Sequence, residues 1–131
     1  MTAEEAINLL LGSVPEFAEE RSSDSSYLSY DDDSPYLVFG DFARFLVNKI
    51  EQNQNSSEIE PLLSKSFRLL SEMATSPDDS IANLAQVGVF EVLTDSPEAV
   101  LAARQNLSAR ASDVFEHVVE LWAPKGKLSE Q

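Results

Sequence analysis

The sequence contains no cysteine, which excludes both a disulfide framework and a thiolate metal site. Glycine is scarce, 4 in 131 residues, and neither GxGxxG nor GxxxxGK[ST] occurs, so no phosphate-cradling loop can be named. There is one histidine, His117, so an imidazole metal site or a catalytic triad would have to draw its other members from carboxylates and hydroxyls. No apolar run approaches the ~18 residues that a spanning helix needs. The opening stretch "MTAEEAINLLLGSVPEF" has acids where a secretory signal carries bases, and its apolar core is short. A cytoplasmic setting is therefore the expectation, and the lack of disulfides is compatible with it.

Positive charge is the other scarcity. Nine Lys and Arg stand against 23 Asp and Glu, a net charge of −14. Residues 1–33 hold nine acids and one base, Arg21, so −8 of that charge falls in the first quarter of the chain. Phosphate recognition and anionic membrane binding both call for Lys and Arg, so direct nucleic-acid and membrane contacts are disfavoured. A basic protein would be drawn to this chain and its association accelerated. Solubility alone would account for the same composition.

Hydrophobic residues make up 43% of the chain, enough for one core in a domain of this length. The periodicity is helical, and no strand is expected. Thr2 and Glu5 form a capping box for a first helix ending near Gly12, with Ile7, Leu10 and Leu11 inward. Pro15 opens a short turn or helix that points Phe17 inward, and Ser22 to Ser34 reads as an acidic loop. Ser34-Pro35 starts a helix whose face is Val38, Phe39, Phe42, Phe45, Leu46 and Ile50. After a polar connection, Ile59, Leu62, Leu63, Phe67, Leu70, Met73 and Ala74 follow i, i+3, i+4 spacing closely. Ser76-Pro77 and Ser96-Pro97 repeat the same start signal. The helix after Ser76 shows almost no polar side, so it is expected at the centre, and "VGVFEV" within it reads as helix despite its β-branched residues. Ser108 or Ser112 starts a last helix with Val114, Phe115, Val118, Leu121 and Trp122 inward, ended by Pro124. The expectation is an all-α, single-domain irregular bundle of five or six helices over residues 1–123, with 124–131 as a tail.

No catalytic constellation is expected. Asp113 and Glu120 flank His117 at i−4 and i+3, but two or three ligands on one exposed helix edge make a poor metal site. Asp31, Asp32 and Asp33 lack the alternate spacing, the central Gly and the final Glu of a calcium loop. Glu91 reads as a buried carboxylate held by a structural hydrogen bond, with Asn83 two turns earlier on the same helix. Gly88 reads as a point of close helix approach. Neither a cofactor nor a resident metal is expected.

What remains is the stretch "SYLSYDDDSPYLVFGDF". Tyrosines that combine apolar area with a hydroxyl, set among carboxylates, suit recognition of an Arg- and Lys-bearing surface. Asp24, Tyr27, Tyr30, Asp31, Asp32, Asp33 and Tyr36 are the candidate partner-binding residues. The competing reading packs Tyr36 and one other tyrosine on the core and leaves the aspartates as a wet helix cap.

"YDDDSPYLVFGDFARFL" together with "DDSIANLAQVGVFEVL" resembles a family of small acidic helical bacterial proteins associated with immunity in polymorphic and contact-dependent toxin systems. The resembling positions are the aspartates before Pro35-Tyr36, the Phe39-Gly40-Asp41 step, Asn83-Leu84 and Glu91, within residues about 27–122. The resemblance implies a non-enzymatic protein that binds and neutralises a cognate, basic toxin, a nuclease domain among the candidates. The alternative is a helical adaptor, or a nucleic-acid mimic directed at a basic host protein.

Overall fold

The computed structural model describes residues 1–23, 34–52 and 59–122, and every regular element in it is helical. Of the loop expected from Ser22 to Ser34, residues 24–33 lie outside the described residues, as do the connection at 53–58 and the tail with Pro124, while Ser22 and Ser23 belong to a helix. In chain order the helices are α1 (Ala3–Ser13), α2 (Pro15–Ser23), α3 (Pro35–Gln52), α4 (Ile59–Ala74), α5 (Asp79–Ala85), α6 (Glu91–Leu93), α7 (Pro97–Asn106) and α8 (Ala109–Trp122). A π-helical turn, Gln86–Phe90, joins α5 to α6 without a break. Counting that run once gives seven helices among the described residues, where five or six were expected. The surplus is α2, a helix of nine residues where a short turn or helix was expected.

Each start has a local cause. Thr2 Oγ1 accepts from the Glu5 amide at 3.1 Å while Glu5 accepts from the Thr2 amide at 2.7 Å, closing the expected capping box. Ser96 Oγ accepts from the Ala99 amide, with Pro97 at the first helical position. The same hydroxyl donates to Glu51 at 2.8 Å, tying the start of α7 to the end of α3. Ser76 behaves differently from expectation. Its Oγ accepts from the Asp78 amide, and Asp78 is the cap, accepting from both the amide and the hydroxyl of Ser80. The Ser76 turn sets up a better acceptor two residues on, because a carboxylate completes the helix dipole where a hydroxyl does not. Those two hydrogen bonds from Ser80 hold the Asp78 carboxyl below its ordinary range.

The core is continuous across all these elements. Every predicted inward residue of α3 and α4 is buried. Phe17 seats its ring 5.3 Å from those of both Phe42 and Phe45, and Phe90 meets Phe115 edge-on at 5.2 Å. Several residues expected inward fall elsewhere: Ile7, Leu11 and Val114 are only partly buried, and the Trp122 side chain lies outside the described residues. Leu121 is 64% exposed, because the stripe of α8 is Ala111, Phe115, Val118 and Val119, and Leu121 lies off that i, i+4, i+7, i+8 line. Val92, expected in the core, is only partly buried, while Leu93 beside it is enclosed. Nor is the helix that contains it covered all round: Asn83 and Val87 face solvent and Glu91 is half-buried. No helix among the described residues is long and apolar enough to cross a membrane.

Leu84 lies at the heart of this packing and is 1% exposed, so Leu84→Asp should abolish the cooperative thermal transition by placing an unpaired charge in the core. A variant melting like the parent would contradict the packing described. Acid should weaken the Asp78 cap. A depressed carboxyl contributes stability fully above its unfolded value, near pH ~4, and loses it as pH falls through the lower folded value. Asn caps nearly as well and does not titrate. The fall in melting temperature between about pH 5 and 2 should therefore be shallower in Asp78→Asn than in wild type.

Candidate functional site

Of the seven candidate partner-binding residues, Tyr36 alone is described; Asp24, Tyr27, Tyr30, Asp31, Asp32 and Asp33 lie outside the described residues. Tyr36 sits in the first turn of α3, the helix entered at Pro35, three positions after Asp33 in the sequence. It is 44% exposed, with part of its ring packed on the fold and part open to solvent.

Its position is fixed from across the fold. The Asn83 side-chain amide donates to the Tyr36 hydroxyl oxygen at 2.7 Å, linking α5 to α3. That bond occupies the phenol oxygen as an acceptor and leaves its O–H available as a donor. Gly88, on the π-turn, faces the same side. A Cβ there would lie 3.4 Å from Phe39 Cβ, 3.5 Å from Leu84 Cδ1 and 3.8 Å from Tyr36 Cδ1. These are ordinary contact distances, so the helices meet closely at Gly88 without the position requiring a glycine, and the tyrosine ring lies against the π-turn. Val87 stands beside it, 41% exposed, and Asp79 lies exposed one turn before Asn83. Tyr36, Asn83, Val87 and Asp79 thus combine aromatic, amide, apolar and carboxylate groups at the junction of α3 with the central helix.

A cleft of about 460 Å³ opens on the other side of Pro35. Pro35 forms one wall, and Glu4, Ile7, Asn8 and Leu11 of α1 form the other. Ile7 and Leu11, expected inward, are only partly buried and give the cleft its apolar lining, while Ala6 and Leu10 carry the buried contact of α1.

The sequence reading missed one charged cluster. Asp41 is 2% exposed in the middle of α3. Its Oδ2 accepts from Arg21 Nε at 3.1 Å, and its Oδ1 accepts from Arg44 one turn on. The signal was present in "YLVFGDFARFL": an acid set within the apolar face, with Arg44 at i+3. Arg21 belongs to α2, so this pair joins α2 to α3. Lys49 with Glu20 at 3.3 Å and Lys65 with Glu16 at 2.9 Å hold the same short helix to α3 and α4. Burial would raise the Glu16 carboxyl, but hydrogen bonds from Lys65 and the backbone, with the Lys65 charge, hold it below its ordinary range. On the far side Glu116 receives both a 2.8 Å and a 3.0 Å hydrogen bond from Arg104 and holds that guanidinium above its ordinary value.

His117, Asp113 and Glu120 are all exposed on α8, and no group of three or more His, Cys, Asp or Glu that could hold a metal occurs among the described residues. Glu91, expected to be enclosed, is half-buried, and its interactions do not leave it free.

Residues 7–122 match the model of a family described as a domain of unknown function, DUF7674, and the chain belongs to that family. No curated protein and no solved structure matches it.

Removing the Asp41 charge should be costly, because two guanidinium groups would then face each other with Arg21 largely buried. Asp41→Asn should lower stability by on the order of 3 kcal/mol in urea denaturation, less if half-exposed Arg44 swings into solvent. A loss under about 0.5 kcal/mol, the ordinary surface value, would show that the cluster contributes little.

Proposed function

We propose that this member of the DUF7674 family is a non-catalytic protein that binds and neutralises a basic partner, as an immunity protein does its toxin, through the surface that carries Tyr36. The observation that carries the reading is Tyr36 itself. It is an aromatic residue held half-exposed by a hydrogen bond from another helix, at the point where the acid-rich stretch 24–33 joins α3. A pre-positioned tyrosine gives area and a hydrogen-bond donor with little ordering entropy left to lose, which is what an interface anchor needs.

The charge distribution supports a cationic partner. Arg21, Arg44, Lys49, Lys65 and Arg104 are all engaged in internal ion pairs. Each is paired with an acid of the same chain, and the acids left over far outnumber the remaining bases. Oppositely charged rims accelerate encounter, whereas the anchor governs how long the complex lasts. An immunity protein that must intercept its toxin before damage is done benefits from both. Toxin immunity is chosen over a general adaptor because of the resemblance carried by Pro35-Tyr36, Asn83-Leu84 and Glu91.

The test is surface-binding kinetics against the partner, once it is identified from the neighbouring gene. Tyr36→Ala should raise the dissociation rate about tenfold or more, with a small change in melting temperature. Replacing Asp31, Asp32 and Asp33 together by Asn should slow association and flatten its dependence on salt. If both variants bind and protect cells as wild type does, the recognition surface lies elsewhere.

A further inference from the structure

The cleft beside Pro35 has a chemistry of its own. Glu4, Ile7, Asn8 and Leu11 recur at i, i+3, i+4 and i+7, so they form a single face of α1. Two of them are aliphatic and, with Pro35, make apolar walls. The other two put a carboxylate at one end and an amide one turn further on. From Glu4 to Leu11 the helix rises about 10 Å, at about 1.5 Å per residue, enough to lay an extended side chain along it.

The two acids of the first turn are not equivalent. Glu5 is committed to the capping box and also lies 4.0 Å from the chain's amino terminus. Glu4 is exposed, and no described residue pairs with it, whereas Glu16, Glu20, Asp41 and Glu116 each have a cationic partner. An uncommitted carboxylate at the mouth of an apolar cleft suits one kind of guest: a cation on an aliphatic stem. Lys and Arg bury their methylenes against apolar walls and keep the charged head at a polar end. An anionic guest would be repelled by Glu4, and a plain alkyl group would gain nothing from it or from Asn8.

We infer that this cleft is a subsite for a long basic side chain, lysine or arginine, presented by the partner protein. The inference rests on the reading above that the partner is basic, and it adds the place where one of its cations is seated. Pro35 and Tyr36 are adjacent, so the subsite and the aromatic anchor share the start of α3. One basic residue of the partner lies along α1 while its neighbouring surface meets Tyr36. The Asn8 side-chain oxygen accepts from the bound cation, and the Glu4 carboxylate supplies the charge.

Three small probes of similar size test the subsite without the partner: n-butylammonium, n-butanol and butyrate, titrated into the ¹⁵N-labelled full chain and followed by NMR. The ammonium should move the amides of residues 4–11 and the Asn8 side-chain amide saturably, at least threefold more tightly than the alcohol, and butyrate should not saturate them. Glu4→Gln should reduce the ammonium to the affinity of the alcohol, while Glu60→Gln, an exposed acid on α4, should leave it unchanged. Equal affinities for ammonium and alcohol, or an unaffected Glu4→Gln, would overturn the subsite by reducing it to an apolar crevice. Both variants alter exposed side chains, and matching thermal melts separate a lost site from a lost fold. Because no partner is present, failure here removes the subsite and leaves the Tyr36 kinetics to decide the wider reading. In partner kinetics Glu4→Gln should speed dissociation at least threefold. An unchanged rate, with ammonium binding lost, would place the cleft outside the contact and overturn its assignment to the partner.

Discussion

The packing of α3 against the π-turn of the central helix is the contact on which the rest of this structure depends. At Gly88 a Cβ would come into ordinary van der Waals contact with Phe39, Leu84 and the ring of Tyr36, so α3 lies within reach of one added methyl group. The same junction carries the hydrogen bond from the Asn83 amide to the Tyr36 hydroxyl. Further along α3, Phe42 and Phe45 receive Phe17 from α2. One helix therefore serves both the core and an exposed aromatic. Interiors of this density transmit displacement rather than absorb it, so a shift of α3 would be felt at the surface tyrosine.

Charge is arranged on a different principle. With few cations available, the chain uses them as internal ties, and three of the ties converge on α2. Among the described side chains of that helix Phe17 alone is wholly buried, and most of the others are polar. Apolar contact alone would hold it weakly, and the ion pairs supply orientation that the phenylalanine cannot. Exposed pairs contribute little stability each. The pair at Asp41 differs, because its carboxylate is enclosed and cannot exchange its partners for water.

Much of the fold was legible in the sequence. The apolar faces of α3 and α4 were readable because each runs for several turns without interruption, so period alone locates the core. The capping box at Thr2 and the Ser96-Pro97 start were readable because they are local chemistry. The errors fall where tertiary context overrides local pattern. Ser76 looked like a third Ser-Pro cap, but Asp78 offers the stronger acceptor. Val92 reads as inward because its helix is apolar on nearly every side, which composition alone cannot resolve into a buried and a partly exposed face. Asp41 was quoted for its resemblance and passed over for its burial, although an acid inside an apolar face is itself a signal. Of the candidate surface, Tyr36 was named from the sequence. Its partner Asn83 stands out in the sequence beside Glu91 and among the resembling positions, but not as a contact of Tyr36, because nothing in a sequence reveals a contact across 47 residues. The cleft was equally invisible, being made by two helices that a linear reading treats apart.

The π-turn also decides how this chain can gain or lose residues. The Glu91 amide bonds back to the Gln86 carbonyl, five residues earlier, so the turn holds one residue more than an α-helical turn would. Leu84 before it and Leu93 after it reach the same core only because that residue is present. Deleting one residue within 86–90 would leave a more regular helix and a worse protein. Everything downstream would rotate by about 100°, taking Leu93 out of the core and Ser96 away from Glu51. In this helix an apparent insertion is the part that cannot be edited out.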